Sequence, residues 1–172
     1  MNITLVGTGN MGSAFAKQLS AAGHTVRITG RDIGKATALA AQFANVSAYP
    51  AAEALGDSDV VVVATAYEDA VKALQSLGDL SGKVLIDITN PLSADYMSLT
   101  IGHVTSASEE IARALPQAQV VKAFNTLFAQ VLADGPTFAH DQTGSVFVAS
   151  DSERAKQTAI ALAHSLGWNT VD

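Results

Sequence analysis

The sequence predicts an α/β protein built on a doubly wound, mostly parallel sheet with helices on both faces. Two observations carry that prediction. Short apolar, β-branched runs alternate with Ala-rich stretches of helical period along nearly all of the 172 residues. The run at 59–64, DVVVVA, is apolar without alternation, as a strand buried on both faces of a parallel sheet must be. At this length one domain, 1–172, is expected to bury roughly two thirds of its unfolded surface in a single core.

Composition removes several function classes. The chain has no cysteine, which excludes disulfides, thiolate metal sites, iron–sulfur clusters and cysteine nucleophiles. Any redox chemistry must come from a bound cofactor. The formal charge is -6 with no cluster of Lys and Arg, so neither nucleic acid nor a membrane surface is expected as a partner. Met1 leads directly into the first strand, and no apolar run approaches the roughly 20 residues of a membrane span. A cytoplasmic protein is the expectation.

Taken in order, residues 3–6 form the first buried strand and run into Gly7-Thr8-Gly9-Asn10-Met11-Gly12, a G-x-G-x-x-G turn. Gly7 lets the chain turn tightly, and Gly9 lets a pyrophosphate approach the backbone with no β-carbon in the way. Gly12 lets the following helix pack closely on the strand. The pyrophosphate would lie at that helix's N-terminus, where unpaired N–H groups and the positive dipole end favour anions. Glycine clusters also make ordinary loops, but here strand, turn, helix and a second strand at 25–29 complete a unit of roughly thirty residues. Ala14, Phe15, Leu19 and Ala22 fall at helical spacing, and Gly23 stops the helix. His24 has no second His at metal-ligand spacing and is read as structural; no metal site is expected.

The second strand ends at Thr29-Gly30-Arg31-Asp32, where an NAD-specific site places an acid on the ribose. Here Thr29 offers a hydroxyl, Gly30 an N–H, Arg31 a guanidinium able to hold a phosphate bidentately, and Lys35 a further cation. The constellation predicts NADP(H). Asp32 is placed to cap a helix running to about residue 44.

A short strand at 46–48 and a small helix opened by Pro50 and ended by Gly56-Asp57 precede the strand at 59–64. Its end, Thr65-Ala66-Tyr67, is expected near the nicotinamide half of the cofactor, with Ala64, Thr65 and Ala66 as cofactor-binding residues. A helix at 68–77, with Val71, Leu74 and Leu77 on one stripe, leads to the strand at 83–87. Pro91 pushes Asn90 out of helical geometry, and ligands of open α/β sheets bind beyond the carboxyl ends of strands, so both belong to the candidate site. Residues 92–104 carry no periodicity and either cover the site or form an inert surface loop. Ser106 and Glu109 form a capping box on a helix ending before Pro116.

Residues 119–126 carry a buried strand into Asn125 and Thr126, and Ala123 and Asn125 at its carboxyl end are counted with the cofactor-binding residues. Asn125 and Thr126 either meet a flat, hydrogen-bonding ligand or start a turn and cap the next helix. A strand at 145–149, a helix capped by Asp151 and reaching about 166, and a last strand at 168–171 complete the chain. No residue is assigned as a catalytic acid or base.

With these stretches in hand, the chain resembles the NADPH-dependent reductase family that includes the NADP oxidoreductase of the deazaflavin coenzyme F-420, and is similar to the reductase domain of the STEAP metalloreductases. The matching pieces are the glycine turn, Gly30-Arg31 with Lys35, residues 85–91 (LIDITNP) and residues 120–126 (VVKAFNT). The resemblance implies a Rossmann-type fold and hydride transfer from NADPH to a flavin or deazaflavin ring as small-molecule electron acceptor. Positioning, not a side-chain acid, does the catalysis there. Members often carry Ser where Gly30 stands, which leaves one fewer contact to a 2′-phosphate. They also usually continue past the position of Asp172 with a segment that helps complete the core or a dimer contact. Either a minimal form or a different acceptor and homodimer pairing is therefore expected. Two other readings stay open: a reductase of a small carbonyl or imine, and an NADP(H)-binding sensor without turnover.

Overall fold

A computed structural model describes residues 1–172 with the exception of Ala94 and Tyr96. Among the described residues, eight strands lie in one sheet in the order β3 (Val46–Ala48), β2 (Thr25–Thr29), β1 (Asn2–Val6), β4 (Val60–Val63), β5 (Val84–Asp87), β6 (Gln119–Ala123), β7 (Ser145–Ala149), β8 (Asn169–Val171). Every pairing from β3 across to β6 is parallel. The strand order reverses at β1, which lies between β2 and β4. This is the topological switch that opens a crevice at the carboxyl edge of such sheets.

Helices cover both faces because the strands are apolar on both. Ile3, Leu5, Val60, Val62 and Ile86 pack toward α1 (Asn10–Ala21), α2 (Ile33–Ala40), α6 (Ala129–Asp134) and α7 (Glu153–Ser165). Val6, Val61, Val63 and Leu85 pack toward α3 (Ala51–Ala54), α4 (Tyr67–Gln75) and α5 (Ala107–Ala114). All four valines of β4 are buried, each contributing roughly 1.5–3 kcal/mol of transfer free energy. This two-sided burial is the physical reason for the unbroken valine run.

Several boundaries differ from expectation. The helix after Asp32 ends at Ala40 rather than near 44. Gln42 and Phe43 donate to Leu39 and Ala40 in three-residue turns, and Asn45 takes a left-handed φ of 59° to redirect the chain into β3. The cap of α7 is Ser152, not Asp151: its hydroxyl accepts from the Ala155 N–H at 3.2 Å. β7 runs antiparallel to β6, and β8 is parallel to β7. The capping box of α5 is present as expected, with Ser106 N–H donating to Glu109 Oε2 at 2.6 Å. Of the stretch 92–104, Ala94 and Tyr96 lie outside the described residues. The remainder folds back on itself, Leu92 and Leu99 forming an antiparallel bridge and Thr100 N–H donating to Pro91 O at 2.8 Å.

Candidate active site

The three glycines of the turn do three different things. A β-carbon on Gly7, whose φ is 123°, would lie 2.3 Å from the Ala64 carbonyl oxygen; one on Gly12 would lie 2.1 Å from the Gly7 carbonyl oxygen. Both positions hold backbone against backbone, so the turn sits directly on the chain leaving β4 and α1 starts directly against the end of β1. A β-carbon on Gly9 would meet nothing within 4 Å. Gly9 is also the N-cap of α1, and no side chain caps that helix. Open approach, free helix N–H groups and the dipole's positive end together fit a pyrophosphate. The Gly7 N–H donates to Thr29 O at 2.9 Å, and Gly30 packs against Thr8, whose methyl would stand 3.1 Å from a β-carbon there. The glycine turn and the end of β2 are thereby locked together. Asn10 is exposed at the start of α1, whereas Met11 is partly buried against the core.

At the end of β2, Arg31 is 89% exposed in its side chain and pairs with Asp69 of α4 at 3.4 Å. Lys35 is also exposed and makes no ion pair among the described residues. Asp32 caps α2, as expected. Its Oδ1 accepts from the Gly34 and Lys35 N–H groups at 2.9 and 3.2 Å, so that oxygen serves the cap of α2. Thr29 departs from expectation: its side chain points into the sheet's covered face, and its Oγ1 is buried without a hydrogen-bond partner. It borders the site through its backbone, which holds Gly7.

The opposite end of the crevice is built from the ends of β4, β5 and β6. Ala64 and Thr65 are half-buried and Ala66 is exposed, with the Thr65 hydroxyl donating to Ala66 O at 3.0 Å. Asn90, just ahead of half-buried Pro91, donates from Nδ2 to Asn125 O at 3.0 Å, and Asn125 Nδ2 donates back to Asn90 Oδ1 at 3.2 Å. The two amides predicted from separate strand ends thus form one reciprocal pair. Asn125 and Thr126 do not cap the next helix, since the N-cap of α6 is Phe128. Asn125 is turned by Phe124, whose φ is 60° and whose ring meets Phe15 of α1 edge-on, centroids 5.2 Å apart. Ala123 is a correction: its side chain is fully buried in the core, on the α1 and α7 side of the sheet. A cavity of about 710 Å³ opens beside the amide pair, walled by Asn90, Ile101, Ser106, Lys122, Asn125 and Ala149. Leu99, Ile101 and Gly102 therefore border the site.

Sequence reasoning missed a buried charge pair beneath this cavity. Asp87 and Lys122 are register partners at the ends of β5 and β6. The Asp87 side chain is 0% exposed and accepts from Lys122 Nζ at 3.0 Å, Ser108 Oγ at 2.6 Å and Thr89 N–H at 2.8 Å. Lys122 also donates to Thr89 O, just ahead of Asn90. The available signal was one Asp and one Lys ending adjacent apolar strands, since buried charges must be paired. Nearby, burial, followed by the carboxylates of Glu110 and Asp87, holds the Tyr67 phenol above its ordinary pKa of 10.0, so it stays protonated at neutral pH. Among the described residues, no helix is long and apolar enough to cross a membrane.

Comparison with known proteins places this geometry. Residues 2–91 match the family described as NADP oxidoreductase coenzyme F420-dependent. The chain is 29% identical over 171 residues to metalloreductase STEAP3 of Rattus norvegicus, an alignment covering 99% of this chain and 33% of that protein. The chain thus spans about a third of the length of the curated relatives it matches. Among solved structures, a hypothetical protein of Sinorhizobium meliloti superposes with a TM-score of 0.90 at 28% identity, covering 100% of this chain and 84% of that one. A candidate F420-dependent NADP-reductase of Arthrobacter sp. FB24 gives a TM-score of 0.88 at 33% identity, covering 99% and 83%.

Proposed function

The chain belongs to the family of coenzyme F420-dependent NADP oxidoreductases, and from that membership we propose that it moves a hydride between NADP(H) and a flat flavin or deazaflavin acceptor in the cytoplasm. One observation carries the acceptor reading: the reciprocal Asn90–Asn125 pair stands at the carboxyl edge beside a cavity of about 710 Å³. Flavin-type rings present carbonyl and N–H groups along one edge, and primary amides offer both donors and acceptors to match them.

NADP(H) would be held by the uncapped α1 N-terminus and Gly9 at the pyrophosphate, and by Arg31 and Lys35 at the 2′-phosphate. The nicotinamide half would lie toward Ala64, Thr65 and Ala66. When bound, it supplies the hydride; the protein supplies orientation. The residues serve that role without an acid or base: Gly7 and Gly12 fix α1 on the sheet, and Phe124 aims Asn125. A homodimer completing the acceptor side is part of the proposal.

NADPH oxidation followed by absorbance with a panel of riboflavin, FMN, deazaflavin coenzyme and ferric chelates tests the reading. Turnover with a ring acceptor is the expected result. Tight NADPH binding without turnover on any of them would replace it with a sensor.

A further inference from the structure

We propose that Asp69 is a specificity-determining residue that competes with the ribose 2′-phosphate for Arg31. The inference rests on the assignment of Arg31 to the 2′-phosphate in the proposed function. Arg31 follows β2 and Asp69 lies in the first turn of α4, which follows β4, so their 3.4 Å contact spans β1 at the crevice's carboxyl edge. It crosses the adenosine half of a dinucleotide whose pyrophosphate lies at Gly9.

The contact is loose and accessible. One Arg31 nitrogen, Nη1, faces one carboxylate oxygen at the long end of ion-pair distance, and the two side chains are 89% and 43% exposed. A guanidinium offers five N–H donors in a rigid fork, and a phosphate engages it bidentately. Asp69 stands beside one prong of that fork, so a 2′-phosphate must displace the carboxylate or share the cation with it. A phosphate carrying about -1.5 to -2 charges is also repelled by a carboxylate held this close. NADH has no such group and meets neither effect. The helix dipole does not by itself call for Asp69, because Glu68 already places a carboxylate in the first turn of α4.

The test is calorimetric titration of NADPH and NADH into the full chain, its Asp69→Asn and Arg31→Ala variants, and the double variant, with thermal melting as a fold control. Asp69→Asn should tighten NADPH about two- to fivefold, the scale of releasing one exposed ion pair, and leave NADH unchanged. Arg31→Ala should weaken NADPH by about ten- to a hundredfold, spare NADH, and shrink the gain from Asp69→Asn in the double variant to the part due to repulsion alone. Unchanged or weaker NADPH binding in Asp69→Asn, an equal shift for NADH, or a gain that persists in full without Arg31 overturns the inference alone. Equal losses of NADPH and NADH in Arg31→Ala overturn the 2′-phosphate assignment and the inference with it.

Discussion

Substitution of the three turn glycines one at a time should separate folding from binding. In Gly12→Ala the new β-carbon would stand 2.1 Å from the Gly7 carbonyl oxygen. Backbone must then move by about 1 Å to restore van der Waals contact. Overpacking of this kind costs about 1–3 kcal/mol, or roughly 2–12 °C in melting temperature for a chain of this size. Gly7→Ala adds a second penalty of about 1–3 kcal/mol for a positive φ of 123°, and should melt lower still. The β-carbon of Gly9→Val meets nothing within 4 Å, and the φ of -80° and ψ of -167° there suit a β-branched residue. Losing a favourable N-cap and stiffening the unfolded chain nearly cancel, each about 0.5–1 kcal/mol, so its melting point should stay within about 4 °C. Binding responds in the opposite way. A pyrophosphate pushed off the α1 N-terminus loses about two charge-assisted hydrogen bonds at roughly 1.5–3 kcal/mol each, which raises Kd for NADPH and NADH by about two to four orders of magnitude. Scanning calorimetry and titration on the same preparations read both quantities. NADPH affinity within tenfold of the parent in Gly9→Val would refute the placement of the pyrophosphate, and an unshifted melting point in Gly12→Ala would refute the contact argument.

Three further outcomes are expected. Asn125→Leu should lower turnover of the ring acceptor while NADPH affinity stays within a few fold, measured by steady-state kinetics beside direct titration; unchanged turnover returns Asn125 to an ordinary turn residue. Lys122→Met should cost about 3–5 kcal/mol, because it leaves the fully buried Asp87 without its cation, and Lys122→Met with Asp87→Asn should recover most of that in denaturant titrations. A double variant no more stable than the single one contradicts the pairing. Burial, and then the N-terminal ammonium, lower the pKa of His24 below its ordinary 6.5. The folded state therefore binds that proton less well than the unfolded chain, and the stability His24 provides, complete above 6.5, is lost as pH falls from there toward the folded-state value. His24→Gln should flatten this part of the melting-temperature profile; an identical slope in both proteins rules out His24 as the cause.

The parts of the fold that were legible in the sequence are those that local chemistry dictates. Val60 to Val63 could only be a strand buried on both sides, and the spacing of Gly7, Gly9 and Gly12 matched one strand-to-helix geometry whose contacts the structure reproduces. Strand direction was not legible at β7, because an apolar run has the same pattern whichever way it is threaded. Nor could the side-chain aim of Thr29 or Ala123 be read before the pleat was known: each stands at a strand end beside the site, yet each points into packed interior. Asn90 and Asn125 were found separately from their strand ends. Their mutual bonding depends on β5 and β6 being neighbours, and the Asp69 contact to Arg31 on α4 lying across β1. Both follow from tertiary order, which single-residue chemistry does not encode.

The edge-on contact between Phe15 and Phe124 has a consequence for how the protein is made. One ring belongs to the helix of the glycine turn, the other to the turn after β6, and both are fully buried. Phe124 emerges from the ribosome about 5–20 s after Phe15 at ordinary synthesis rates. The same face also needs Leu132 from α6 and Leu162 from α7. A nascent chain that has completed only the stretch 2–91 matched by the family therefore has the whole glycine turn and the strands beneath its helix, but not Phe124, Leu132 and Leu162, which complete the packing around that helix. The nucleotide end is translated first and sealed last, so a fragment ending there should stay open to chaperones and proteases until the remaining strands arrive.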